Sequence, residues 1–289
     1  MSYVILTDSN CDLSPEMIKK WDIEILPMPF YVDGKQYMGY PDEREMKISD
    51  FYKYQREGKE AKTAAPNPAD FVEKAEQYLK DGKDVLYIAF SSGLSCTYLN
   101  ANMAASELME KYPERKFLTV DSLCASMGQG LLVILACEKR KEGLSIEENA
   151  KWVEDNKLNI CHWFTVNDLF HLKRGGRISA TSAILGSALG IKPVLHVDNE
   201  GHLIPVSKVR GRKQSLDSLV KMMEEKVTSE KSGYVFISHG DCIEDAEYVK
   251  KQIKDKLGFK NFYINFIGTS IGTHSGAGTV ALFFVGSQR

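Results

Sequence analysis

Three short apolar runs, each ending in small hydroxyl or carboxylate residues, constrain the fold of this chain more than any other feature. Such runs are typical of buried parallel strands. Ligands of open α/β sheets bind beyond the carboxyl ends of the strands, so three polar ends predict one shared site. Helix capping by Ser and Asp is the alternative explanation for each end taken singly. The runs and their polar ends are 3–6 with 7–9, 85–90 with 91–95, and 117–120 with 121–122.

The pattern between these runs predicts an α/β fold with two domains. Apolar residues at helical spacing around 71–79, 100–111 and 127–135 separate the strands, which favours a parallel sheet covered on both faces. An extended segment over 23–32 leads to the turn Asp33-Gly34. After about Cys161, amphipathic helices alternate with extended segments and a hairpin around Asn199-Glu200-Gly201, which predicts a mixed sheet. We therefore predict a parallel-sheet domain over 1–158 and a mixed-sheet domain over 159–289.

Charge and cysteine usage exclude several functional classes. A formal net charge of -2 gives no reason to expect nucleic acid or an anionic membrane as partner. The longest apolar run, 131–137, is too short to span a bilayer, so we expect a cytoplasmic chain without stable membrane insertion. The 6 cysteines contain no C-x-x-C pair, and the histidines show no ligand spacing, so we expect no metal.

The glycine-rich segment 268–278 is the next candidate for ligand contact. Its spacing does not fit a dinucleotide fingerprint, and the chain has no phosphate-binding P-loop. Glycines allow a close approach of the backbone to a ligand, and His274 is the titratable donor among them. The alternative is a flexible turn with a histidine that faces solvent. Two compact basic loops, 174–177 and 208–213, are typical of phosphate or acidic-partner binding but also of solvated loops.

Nine short motifs occur in order along nearly the whole chain. They are TDSNCDL at 7–13, DGKQY at 33–37, Thr63 with Pro66, SSGLSCTY at 91–98, Asp121-Ser122, LKRGGRI at 172–178, Lys192-Pro193, Arg210-Gly211-Arg212 and Gly272-Thr273-His274. Taken in order, these motifs resemble those of the DegV family of bacterial fatty-acid-binding proteins. The resemblance implies two α/β domains with a long-chain fatty acid buried between layers and its carboxylate near the domain interface. It also implies a carrier that is not itself an enzyme and that presents the acid to a fatty acid kinase, which makes the acyl phosphate used for phospholipid synthesis.

The resemblance also assigns the site residues. The carboxylate-holding hydroxyls fall on Thr63 and Ser95, and the head-group histidine falls on His274. Ser92 and Cys96 are additional candidate contacts; Cys96 stands where the family usually has glycine. No catalytic residue and no cofactor besides the bound acid are implied. Two arginines, Arg210 and Arg212, are weaker candidates for docking the kinase.

Two enzymatic functions are alternatives to that of a fatty-acid carrier. A serine hydrolase acting on an acyl ester would use Ser95 as nucleophile and His274 as base, although GLSCT at 93–97 lacks the second glycine of a nucleophile elbow. A phosphotransferase acting alone would use the strand-end carboxylates of Asp8 and Asp121, without a phosphate loop.

Overall fold

The amino-terminal half forms the predicted parallel sheet. The structure is a computed structural model that describes residues 3–167, 169–179 and 190–289. Four strands, β1 (Tyr3–Asp8), β2 (Ile23–Leu26), β6 (Asp84–Ala89) and β7 (Phe117–Asp121), lie in the order β2-β1-β6-β7 and are all parallel. Every residue of β1 and β6 is buried, as expected for strands covered on both faces. The prediction of a parallel sheet is confirmed.

A small antiparallel sheet lies beside the parallel one. Its strands are β3 (Met28–Val32), β4 (Lys35–Gly39) and β5 (Ala61–Thr63), in the order β4-β3-β5. The extended segment predicted over 23–32 therefore contributes to two different sheets. The predicted turn Asp33-Gly34 joins β3 to β4, and both of its residues have positive φ angles (49° and 79°), as hairpin turns require.

Helices cover both faces of the parallel sheet. The third and fourth helices pack on one face, and the fifth and sixth pack on the other. None of the helices described by the structure has the length and apolar character needed to cross a bilayer. The helices are α1 (Pro15–Trp21), α2 (Ile48–Arg56), α3 (Pro68–Lys80), α4 (Thr97–Lys111), α5 (Met127–Lys141), α6 (Ile146–Asn156), α7 (Phe170–Arg174), α8 (Arg212–Lys226), α9 (Ile243–Leu257) and α10 (Thr269–Ser275).

The carboxyl-terminal half forms a six-stranded mixed sheet, as predicted. Its order is β10-β9-β8-β13-β11-β12; β11 and β12 are parallel, and the other neighbouring pairs are antiparallel. The predicted hairpin joins β9 to β10. The strands are β8 (Ile160–Thr165), β9 (Ile191–Val197), β10 (Leu203–Arg210), β11 (Tyr234–His239), β12 (Asn261–Phe266) and β13 (Val280–Val285). All strands of the two other sheets precede residue 158, and the domain division at 158/159 remains our proposal.

The helix α5 joins the parallel and mixed sheets into one packed body. Ten of its residues are buried. One apolar cluster includes Ile5 of the parallel sheet, Leu131 of α5 and Phe283 of the mixed sheet. Burial on all sides explains why α5 carries no clear polar stripe.

The segment 268–278 is mostly helical. From the sequence we considered either ligand contact or a flexible turn here, and the structure has a helix, α10, over most of the segment. Gly272 allows this helix to pack closely against α2, because a Cβ atom there would lie 2.7 Å from Tyr52 Oη. The helix was not predicted because glycines serve helix packing as well as turns.

Candidate ligand-binding site

A largely apolar cavity lies between the mixed sheet and the loops that follow β1, β5 and β6. The space within it, including the part that is open to solvent, is about 960 Å³. Apolar side chains dominate its wall. These side chains include Leu94, Phe164, Val197, Ile271, Ala281 and Phe283.

Strand register determines which residues of the mixed sheet face the cavity. Phe164 lies opposite Ala281, and His162 lies opposite Phe283. Directly opposed residues point to the same face, so alternate positions of β8 and β13 form the wall. The intervening Trp163 packs in a separate core cluster on the other face of the sheet.

A hydroxyl and an imidazole meet at one end of this cavity. Thr63, the last residue of β5, and His274 on α10 are joined by a hydrogen bond of 2.8 Å between Oγ1 and Nε2. His274 Nδ1 is buried and has no hydrogen-bond partner among the described residues. The imidazole packs against Gly175, where a Cβ atom would lie 2.1 Å from Nδ1. The histidine is therefore enclosed rather than turned to solvent.

The protein environment keeps this imidazole neutral. Burial, which is the largest cause, and the guanidinium groups of Arg177 and Arg174 together lower the pKa of His274 to about 4. At neutral pH a neutral imidazole can donate one hydrogen bond and accept another. A carboxylate placed beside it favours the protonated form and raises this pKa.

Arg177 supplies a positive charge to the same cavity. It is half-buried, lines the cavity and donates to the backbone oxygens of Leu94 (3.2 Å) and Gly175. Burial lowers the pKa of the Arg177 guanidinium. Sequence analysis identified the basic loop 174–177 but did not place Arg177 in the same cavity as Thr63 and His274. The sequence signal that could have identified Arg177 was its position in the motif at 172–178.

Ser95 and Cys96 line the same cavity as Thr63 and His274. The Ser95 and Thr97 hydroxyls lie 2.7 Å apart, and the Cys96 thiol is exposed. Ser92 is not among the residues that line this cavity; its backbone N–H donates to Asp121 Oδ1 at 3.1 Å.

The two arginines considered for partner docking lie outside the cavity lining. Arg212 donates from Nε to Asp245 Oδ2 (2.8 Å) and from Nη2 to the Gly278 oxygen (2.6 Å), so its guanidinium binds within the fold. Arg210 is exposed at the end of β10, the edge strand of the mixed sheet. Arg210 is therefore the more accessible of the two for a partner.

Within the described ranges, the hydrogen bonds form neither the hydrolase site nor the phosphotransferase site considered from the sequence. The Ser95 hydroxyl pairs with Thr97, and His274 pairs with Thr63, so no serine–histidine pair of a hydrolase is formed. Asp8 is buried and accepts hydrogen bonds from the Tyr87 hydroxyl, the Gln129 amide and a backbone N–H. These bonds use the Asp8 carboxylate to hold the ends of the parallel strands. Within the same ranges, no group of three His, Cys, Asp or Glu side chains is arranged to hold a metal ion.

Comparisons with known proteins agree with this architecture. The DegV family model, described as that of an uncharacterised protein family, matches residues 2–287. A DegV domain-containing protein of Clostridium perfringens is 44% identical over 287 residues, covering 99% of this chain and 98% of the relative. A DegV lipid-binding protein from Thermotoga maritima has 29% identity and a TM-score of 0.87, with 100% of both chains covered. A fatty-acid-binding DegV family protein from Thermus thermophilus has 27% identity and a TM-score of 0.88, covering 99% of this chain and 100% of its own.

Proposed function

The chain belongs to the DegV family, and on this premise we propose that it binds a long-chain fatty acid. The carboxylate lies at Thr63, Ser95 and His274, and the hydrocarbon tail lies along the inner face of the mixed sheet. The observation that carries the proposal is one cavity with an apolar wall and these polar groups together at one end. The fatty-acid binding of the Thermus thermophilus relative supports it.

The tail provides most of the binding free energy in this proposal. Burial of about fourteen methylene groups contributes roughly 11 kcal/mol before the costs of association, at about 0.8 kcal/mol each. The hydroxyl, imidazole and guanidinium groups at the mouth replace hydrogen bonds that the carboxylate loses on leaving water. They therefore orient the head group and limit its desolvation cost.

The exposed position of the mouth fits a carrier that presents its ligand. A separate fatty acid kinase would phosphorylate the carboxylate there, and Thr63, Ser95 and His274 would hold the acyl phosphate for phospholipid metabolism in the cytoplasm. Arg210, exposed on the edge of the mixed sheet, is the better-placed arginine for docking that kinase. The chain itself carries no phosphate-binding loop in its sequence.

Lipid analysis of the purified protein tests the proposal. We expect mass spectrometry of extracted protein to identify one long-chain fatty acid per chain, and delipidated protein to take up added acid. A kinase catalytic protein with ATP should then convert the bound acid to acyl phosphate. A protein that carries no fatty acid and takes up none on titration would exclude the proposed function.

A further inference from the structure

The wall of the cavity contains polar groups that the head-group site does not use. Asn10 is 2% exposed and lines the cavity, and its Oδ1 has no hydrogen-bond partner among the described residues. Ser126 is 4% exposed and lines the same cavity. A hydrocarbon chain cannot pair with either group, and a buried acceptor without a donor is costly. A plain alkyl tail therefore leaves this part of the wall unmatched.

Asp12 links the two groups into one cluster. It follows Asn10 by two residues in the chain, and its Oδ2 accepts a hydrogen bond of 2.5 Å from Ser126 Oγ. The backbone N–H of Gly268 donates to Oδ1 of the same carboxyl at 2.9 Å. With its proton directed to Asp12, the Ser126 oxygen accepts from the Ser238 hydroxyl, 2.8 Å away. Among the described residues, Asn10 Oδ1 is then the acceptor in this part of the wall that lacks a donor.

The backbone at Ser126 is a second and independent sign of a functional position. Its φ and ψ angles are 54° and -144°, a region that residues with a Cβ atom rarely adopt. Such conformations persist where the surrounding structure enforces them, commonly at ligand sites. Here the conformation places the serine side chain between Asp12 and Ser238, whose hydroxyl is 2.8 Å away.

The cluster lies farther along the cavity than the head group. Thr279 marks the head-group end, because its hydroxyl donates to the Ser275 oxygen at 3.0 Å, at the end of α10. Ser238, which contacts Ser126, lies opposite Ala281 in the sheet. Ala281 follows Thr279 by two residues, which corresponds to about 7 Å along a strand. The cluster therefore lies beside the chain of a bound acid, not beside its carboxylate.

We propose that Asn10 forms a second polar subsite, which receives a hydroxyl group on the hydrocarbon chain of the ligand. The preferred occupant is then a hydroxylated long-chain fatty acid. This inference rests on the proposed function, since it places the hydroxyl relative to a carboxylate held at Thr63, Ser95 and His274. A hydroxyl can donate its proton to Asn10 Oδ1, whereas a keto group at the same carbon has no proton to donate and can pair only with the Asn10 amide nitrogen.

The test compares three kinds of ligand on delipidated full-length protein. Hexadecanoic acid, its monohydroxy positional isomers, and the keto analogue of the best isomer are titrated separately. We expect one isomer, hydroxylated within the chain, to bind about tenfold more tightly than hexadecanoic acid, and its keto analogue to show a smaller gain. Asn10→Leu, similar in shape but without polar atoms, should abolish the preference for the hydroxy acid while retaining the binding of hexadecanoic acid.

The binding of hexadecanoic acid by each variant reports that the variant is folded. The inference is overturned if no hydroxy isomer binds more tightly than hexadecanoic acid, or if the keto analogue gains equally. It is also overturned if a folded Asn10→Leu variant keeps the preference. In each of these cases the proposed function survives. Failure of every acid to bind the wild-type protein would overturn both.

Discussion

The two ends of the cavity are built in different ways. At the mouth, Thr63, Ser95, Arg177 and His274 come from four separate segments, and each is only partly buried. Along the wall, the contributing residues alternate on the neighbouring strands β8 and β13 and are almost fully buried. Orientation of a ligand therefore depends on loops and helix ends brought together by tertiary folding. Affinity depends on a wall fixed by strand register.

Blocking the wall is expected to have the largest effect on binding. Ala281, 6% exposed, lies opposite Phe164 on the cavity face, and Ala281→Trp would fill the space that the tail needs. We expect at least about a hundredfold loss of fatty-acid affinity, because burial of the tail provides most of the binding free energy. Titration of delipidated protein with fatty acid measures this loss of affinity. Ala281→Val is the matched control, for which we expect a smaller loss of affinity. Thermal unfolding checks that both variants are folded. Unchanged affinity in a folded Ala281→Trp protein would show that the tail lies elsewhere.

The stability of the ligand-free protein should depend on pH through His274 at the mouth. Its pKa of about 4 is below the usual 6.5, so the folded state binds this proton less readily than the unfolded chain. The stabilisation is present above pH 6.5 and is lost as pH falls toward 4, about 3 kcal/mol in total. Urea unfolding should therefore show that the free energy of unfolding falls more steeply between pH 6.5 and 4 for the wild type than for His274→Asn. Parallel curves for the two proteins would contradict the prediction.

Ligand binding should change the pKa of His274 at the mouth but not that of His162 in the cavity wall. A carboxylate at the mouth should raise the pKa of His274. Burial also lowers the pKa of His162 well below its usual value, but its Nε2 accepts from the Ala125 N–H and its surroundings receive no charge from the ligand. NMR titration of the imidazole signals should show a ligand-dependent shift for His274 only. An equal shift of both histidines would mean that the carboxylate is not at the mouth.

Loss of a single hydroxyl at the mouth should have a moderate effect. Thr63→Val and Ser95→Ala each remove one donor, and hydrogen bonds to charged groups contribute about 1.5–3 kcal/mol, so we expect binding weaker by roughly ten- to a hundredfold for each. Ser92→Ala is the matched control, because Ser92 does not line the cavity and should change affinity less than about twofold. The dissociation constants are compared by titration. An equal effect of Ser92→Ala and Ser95→Ala would place the carboxylate nearer to Asp121.

The smallest effect is expected at Cys96. Its thiol is exposed, and its contact with Asn100 Nδ2 is long, at 3.9 Å. Cys96→Gly, which restores the residue usual in the family, should change fatty-acid affinity less than about threefold, as expected of a weak surface contact. Titration under reducing conditions checks this. A tenfold change would place the thiol in direct contact with the head group.

Much of the fold and part of the site follow from local sequence signals. Buried strands with polar ends and helices at 3.6-residue spacing are properties of short segments, so the parallel and mixed sheets were predicted correctly. The motifs around Thr63, Ser95 and His274 were recognisable as sequence, and the structure brings these residues to one cavity. The helix α10 was not predicted, because its glycines are also typical of turns and of ligand contact, and the contact of Gly272 with Tyr52 is not local in sequence.

The roles of Arg177 and Asn10 could not be read from the sequence. Arg177 lies among basic residues that look solvated, and only its hydrogen bond to Leu94, 83 residues away, shows its position at the cavity. In the sequence, Asn10 is recognisable only as one residue of the motif at 7–13. Its unpaired amide oxygen is evident only when the cavity wall is assembled.

The amino-acid sequence by itself determined most of the strands and helices, the parallel and mixed sheets and the chemical character of the mouth, because hydrophobic periodicity and short motifs encode them locally. The tertiary structure alone decided which side chains share the cavity, how far His274 is withdrawn from water, where the small antiparallel sheet forms, and where unpaired polar atoms line the cavity. These depend on contacts between residues far apart in the chain, such as the bond between Thr63 and His274. The free energy of such contacts is set by burial and register, which a single segment does not specify.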